Sequence, residues 1–244
     1  TLFRSCSDAH RITFRNKIYP AYKMQRDETP EELRAQFEFV ERYLQKCNAK
    51  FIKLDDYEAD DLMGSLATKA KEYGYYPYIV SGDRDLMQLV GEDIAQIYVS
   101  NKGLIEFNAE MVEEKLGVRT DQVIDYKALC GDSSDNIPGV KGIGEKTASK
   151  LLKEYETLDG IYENIEKLKG KQKENLINDK EDAYKFQSIT KIVCDLDLNY
   201  DELFTPNPHF SLCTEEAYEF LKSKDITTIF KKEEIVKVPK EKYL

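Results

Sequence analysis

Apolar residues recur at helical spacing in Leu33, Phe37, Val40 and Leu44, and Pro30 follows Thr29 at a favourable first-turn position. That pattern predicts a helix over 30–47. Phe51, Ile52 and Leu54 predict a short strand. Leu62, Leu66 and Ala70 make one stripe of a second helix over 58–73, closed at Gly74. The run YYPYIVS, residues 75–81, reads as a strand entering Gly82 and Asp83. Residues 85–90 form a short helix, 94–99 another strand, and 103–107 continue a hairpin. Helix, strand, helix, strand, helix, strand is the order of an α/β core with a mainly parallel sheet. Beyond Asn108 the pattern turns helical: 109–116 and 121–130, each closed by a glycine (Gly117, Gly131), then 145–155, amphipathic helix over 158–187, and 215–222. Residues 205–209 mark a loop.

Composition narrows the chemistry. The chain has 244 residues, 41% hydrophobic and 34% charged, enough for one large domain or two small ones. No apolar run reaches the roughly 18 residues that would span a membrane. Five scattered cysteines without a C-x-x-C argue for an intracellular, reducing setting and against a thiolate zinc site. With only two histidines, His10 and His209, any metal site must be built from oxygen, which selects Mg²⁺ or Mn²⁺. The net charge of −10 is the wrong sign for nucleic-acid binding, yet it is uneven. Arg11, Arg15, Lys17, Lys23 and Arg26 lie in a stretch without acids, while Asp55 to Asp93 is rich in them. Such a layout suits a protein that grips phosphates and holds divalent cations; solvated charged faces give the same layout.

Three acidic motifs stand out. Glu58-Ala-Asp60-Asp61 starts a helix, where acids also favour the dipole. Asp83 and Asp85 follow a strand, at the carboxyl end where ligands sit in open α/β sheets; an N-cap turn is the plainer reading. Asp132 and Asp135 lie just past a helix end, where negative charge is unfavourable unless a cation compensates it; a capped turn is the alternative. Seven carboxylates at one pocket would repel one another without cations. Two Mg²⁺ or Mn²⁺ ions about 3.5–4 Å apart would serve an in-line phosphoryl displacement and need no histidine.

Gly139-Val-Lys-Gly142-Ile-Gly144 joins two helical segments. It reads as a helix–hairpin–helix that grips a DNA backbone, with Lys141, Lys146 and Lys150 adding charge. A tight interhelical turn is the alternative. Walker-like spacing of Gly139 and Gly144 fails because Glu145 stands where Lys should follow. Residues 14–26 (FRNKIYPAYKMQR) interleave aromatics with bases, as single-strand binding requires; an amphipathic segment with snorkelling lysines reads the same.

The stretches TFRNKIYPAYKMQRDETPEEL, DDYEADDLMG, VSGDRDLMQL, VIDYKALCGDSSDNIPGVKGIGEKTASKLL and, more loosely, DITTIFKK together resemble the 5′-nuclease domain of bacterial DNA polymerase I and the flap endonucleases. The resemblance implies a PIN-like α/β core over 1–108 that lacks the family's first strand and its Asp. It further implies a helical arch at about 14–36, a helix–hairpin–helix subdomain over 109–232 and a tail over 233–244. It implies metal ligands at Asp8, Glu58, Asp60, Asp61, Asp83, Asp85, Asp132 and Asp135. Tyr22, Lys23 and Arg26 match arch positions over the scissile strand, with Lys23 and Arg26 acting in catalysis. Expected DNA contacts are Arg15, Tyr22, Lys23, Arg26, Gly139, Lys141, Gly142, Gly144, Lys146 and Lys150. The implied activity is a 5′-3′ exonuclease and flap endonuclease, with two Mg²⁺ or Mn²⁺ and a K⁺ at the hairpin. The implied protein is a monomer acting on DNA with 5′ flaps or ends, or on RNA primers, beside a fused or separate polymerase. A catalytically impaired, structure-specific DNA-binding fragment is the rival reading.

Overall fold

The computed structural model describes residues 2–101 and 103–230. The first half runs β1 (Arg4–Cys6), α1 (Phe14–Ile18), α2 (Glu31–Lys46), β2 (Lys50–Ile52), α3 (Ala59–Ala70), β3 (Tyr78–Ser81), β4 (Ala95–Ser100) and β5 (Gly103–Phe107). Two strand pairs are parallel: β1 with β2 (Arg4 opposite Lys50) and β3 with β4 (Tyr78 opposite Ala95). The β4–β5 hairpin is antiparallel. The parallel character matches expectation, but among the described residues the strands form two small sheets rather than one. The strand expected from Tyr75 starts only at Tyr78, because Pro77 has no N–H for the ladder; its carbonyl instead accepts from the Ala95 N–H at 3.2 Å.

Helix α3 packs against both β1 and β3. Leu62, Leu66 and Ala70 are buried as their spacing predicts. In α2 the outcome differs. The stripe Leu33, Phe37 and Val40 that reveals the helix stays exposed, while Phe39 stacks on Phe220 at 5.1 Å between ring centroids.

The second half is α4 (Ala109–Leu116), α5 (Val123–Cys130), α6 (Glu145–Tyr155), α7 (Leu158–Glu163), α8 (Gly170–Asn178), α9 (Lys180–Thr190), α10 (Tyr200–Phe204) and α11 (Glu215–Lys222). The amphipathic stretch 158–187 is therefore three helices. Asn108 caps α4 by accepting the Met111 N–H at 2.9 Å. Helix α5 is central, packed on α6 and α9. Its core includes Leu129, Leu152, Leu158, Ile161 and Leu176, and it takes in Met87, Val90 and Phe107 from the first half. Packing thus runs across Asn108 without a gap. The expected tail over 233–244 lies outside the described residues. Among those described, no helix is long and apolar enough to cross a membrane.

Candidate active site

Glu58 is the N-cap of helix α3, and its backbone N–H donates to Asp61 Oδ2 at 3.0 Å in a reciprocal cap. Asp60 and Asp61, one position apart on the helix, leave it in different directions. Asp61 is fully buried and takes two hydrogen bonds of 2.7 Å from Arg15, together with the Val193 N–H at 2.9 Å. Arg15, itself only 2% exposed, also donates to the Ile189 and Lys191 carbonyls. A bidentate guanidinium–carboxylate pair satisfied on this scale is a structural pin. The sequence-based expectation of Asp61 as a metal ligand and Arg15 as a DNA contact therefore meets a closed, buried pair.

Asp60 faces the other acids. Burial first, then Asp83, with Asp85 and Glu58 behind it, push its carboxyl up to about 8, against the pull of Lys23. Asp83 and Asp85 arrive from the turn after β3. Gln96 of β4 holds that turn by donating to the Ser81 and Asp83 carbonyls at 3.3 and 2.6 Å. Asp83 Oδ1 accepts the Asp85 N–H at 2.8 Å. Burial lifts the Asp85 carboxyl to about 6 against the attraction of Lys127, with Asp83 and Asp135 adding to the rise. Asp8 joins from the loop after β1, accepting the Ala59 N–H at the start of α3 at 2.7 Å.

The third motif follows α5. Asp132 Oδ1 accepts from the Ser134 N–H and hydroxyl at 2.8 and 2.6 Å. Burial acts upward on Asp132, yet Lys127 and these bonds hold it down at about 2. Asp135 is buried between Tyr22 and Arg26, which donate at 3.1 and 2.7 Å. Lys23 donates to Glu58 at 2.8 Å, and its backbone N–H reaches the Asp135 carbonyl at 3.0 Å. Tyr22, expected to stack on a DNA base, is 3% exposed and packed with Ala128, Ile137, Phe186 and Ile189. The segment read as an arch is built from α1, turns through Arg26 and the first turns of α2, and its Ala21 and Gln25 hydrogen-bond the 133–136 loop.

The oxygen-only donor set suits a hard divalent ion. Burial, and after it the neighbouring acids, lift Asp60, and the charge of such an ion would offset both. Among the described residues, however, no three acids close round one point as they stand. Lys23, Arg26 and Lys127 pair with the carboxylates instead. Lys127 and Gln96 escaped the sequence reading. Lys127 had a signal: the cation demanded by acids past a helix end can be a lysine one turn back.

The glycine hairpin is held from behind. Val140 and Ile143 are buried, the Val140 N–H donates to the Leu129 carbonyl at 2.8 Å, and a Cβ on Gly139 (φ +67°) would run into the backbone of Cys130 and Gly131. Asp179 accepts the Lys141 N–H and Asn175 donates to the Lys141 carbonyl, both at 2.8 Å. Lys141, Gly142, Gly144, Lys146 and Lys150 face outward.

Similarity to known proteins gives the family and the fold. The family described as 5′-3′ exonuclease, N-terminal resolvase-like domain, matches residues 2–117, and the 5′-3′ exonuclease C-terminal SAM fold matches 118–208. The chain belongs to the 5′-3′ exonuclease family. It is 45% identical over 199 residues to DNA polymerase I of Synechocystis sp., covering 78% of this chain and 20% of that protein. It is 47% identical over 189 residues to DNA polymerase I of Streptococcus pneumoniae, covering 76% and 21%. The chain thus spans about a fifth of these relatives' length. In fold it is similar to a zinc-bound bacteriophage T5 5′-exonuclease (TM-score 0.66, 23% identity, 88% of this chain and 81% of that one). It is also similar to the catalytic core of Rad2 with DNA substrate (TM-score 0.55, 16% identity, 91% and 72%).

Proposed function

We propose that this chain hydrolyses DNA phosphodiesters near a 5′ end, as an exonuclease and flap endonuclease that depends on Mg²⁺ or Mn²⁺. The observation carrying the proposal is the meeting of Asp60 with Asp83, Asp85 and Glu58, where burial first and the neighbouring acids after it push the Asp60 carboxyl up to about 8. Asp60, Asp83, Asp85, Asp132 and Asp135 would hold two metal ions, with Asp8 and Glu58 flanking them. Asp61 stays with Arg15 as the pin under α3. Bound metal supplies positive charge for the phosphate and makes water acidic enough to attack at neutral pH. Lys23 and Arg26, already at the cluster, donate to the phosphate oxygens as charge builds on them. The hairpin 139–144 and Lys141, Lys146 and Lys150 take the duplex backbone without reading its sequence. In the polymerase relatives the matched segment is part of a longer chain, so a polymerase, fused or separate, is the expected partner.

The test is cleavage of a labelled 5′-flap substrate in Mg²⁺ and in EDTA, by the wild type and Asp83→Asn. Metal-dependent cutting by the wild type, lost in the variant, is expected. The second reading, a structure-specific DNA binder that does not cut, draws on the pairing of Lys23, Arg26 and Lys127 with the carboxylates. Flap binding without cleavage in Mg²⁺ and in Mn²⁺ would select it.

A further inference from the structure

Lys127 sits in the last turn of α5 with its side chain 11% exposed. Its ammonium contacts Asp85, which follows β3, and Asp132, which follows α5, the latter at 2.8 Å. Those carboxylates come from distant parts of the chain and are themselves largely covered. Two desolvated negative charges at such proximity need a cation between them. One oxygen of Asp132 is already taken by Ser134, so the oxygen turned to Lys127 is the one left for any cation.

We propose that Lys127 is a built-in counter-cation of the cluster. It holds Asp85 and Asp132 together while divalent metal is absent, and it competes with the metal for them. This rests on the reading that the cluster binds divalent ions. Lys127 is a positioning residue: it touches the carboxylates, and its effect reaches the reaction through them. A thermodynamic cycle gives the consequence. If the ammonium stabilises the metal-free protein more than the metal-bound one, removing it must tighten metal binding by the same factor. An ordinary structural ion pair would instead be lost equally from both states.

Mn²⁺ binding to the full chain is measured by calorimetry, and melting temperature is followed in EDTA and in saturating Mn²⁺, for the wild type, Lys127→Met and Lys127→Arg. Lys127→Met should bind Mn²⁺ roughly ten- to a hundredfold more tightly, the worth of one charge-assisted hydrogen bond. It should melt lower in EDTA and close to wild type in Mn²⁺, while Lys127→Arg stays near wild type throughout. A Lys127→Met protein unfolded in EDTA that regains wild-type circular dichroism in Mn²⁺ supports the proposal; one unfolded in both overturns it. Unchanged or weaker Mn²⁺ affinity, or an equal loss of melting temperature in both conditions, also overturns it. Absence of Mn²⁺ binding by the wild type would sink the metal reading itself, a different result from a bound metal indifferent to Lys127.

Discussion

The basic segment 11–26 and the hairpin stretch 139–150 both looked like phosphate grips in the sequence, yet the structure uses their cations differently. In the first, Arg15 pairs with Asp61, Lys17 with Asp56, Lys23 with Glu58 and Arg26 with Asp135. In the second, Lys141, Lys146 and Lys150 are exposed, and their ammonium groups form no ion pair with a carboxylate among the described residues. A lysine that begins in water gains a phosphate at little cost. A lysine that begins on a carboxylate gains one only when something else neutralises that carboxylate. Metal and DNA should therefore bind cooperatively at the basic segment and independently at the hairpin.

The largest effect that tests this division is Arg15→Ala. Removing one partner of a buried pair strands the other, at about 3–5 kcal/mol. Urea melts should show that loss, and Arg15→Lys should not restore it, because a single ammonium cannot replace the bidentate fork. A loss below about 1 kcal/mol would return Arg15 to the surface group of cations. Next comes Lys23→Ala, expected to slow single-turnover cleavage by about 10²–10³ while changing flap affinity far less. Equal losses in both would make Lys23 a plain phosphate contact like the hairpin lysines. Lys141→Ala and Lys146→Ala should each lower the salt dependence of duplex binding by about one unit, alike for every sequence. A change in sequence preference would contradict backbone gripping.

The last test is a matter of pH. The carboxyl of Asp60 titrates near 8 in the folded protein against an ordinary 3.8, so between those values the folded state holds the extra proton. Stability in EDTA should then fall as pH rises from about 4 to about 8. Asp60→Asn should flatten that fall, and Mg²⁺ should reduce it by neutralising the charged form. Urea melts at pH 5 and pH 8 measure it; a slope that survives Asp60→Asn would assign it elsewhere.

What could be read in advance follows the reach of the signals. The expected helices 145–155 and 215–222 coincide with α6 and α11, and glycine punctuation closed α4 and α5. The acidic motifs were visible because short spacing carries them. Partners across long separations were invisible: nothing near Arg15 names Asp61, 46 residues on, and nothing near Lys127 names Asp85, 42 residues back. The stripe of α2 shows a second limit, since spacing identifies a helix but not which face its neighbours cover.

The loop between Asp132 and Gly139 is short and braced at both ends. Asp132 and Ile137 exchange two backbone hydrogen bonds of 2.8 Å, and Gly139 lies against Gly131 with no room for a side chain. The acid proposed to face the cut and the hairpin proposed to hold the duplex are thus parts of one braced piece, which on that reading would act as a ruler. A duplex clamped at the hairpin would then have its distance to the severed bond already set. Product lengths should accordingly cluster on one value, and adding two glycines after Asn136 should smear that value without loosening the clamp.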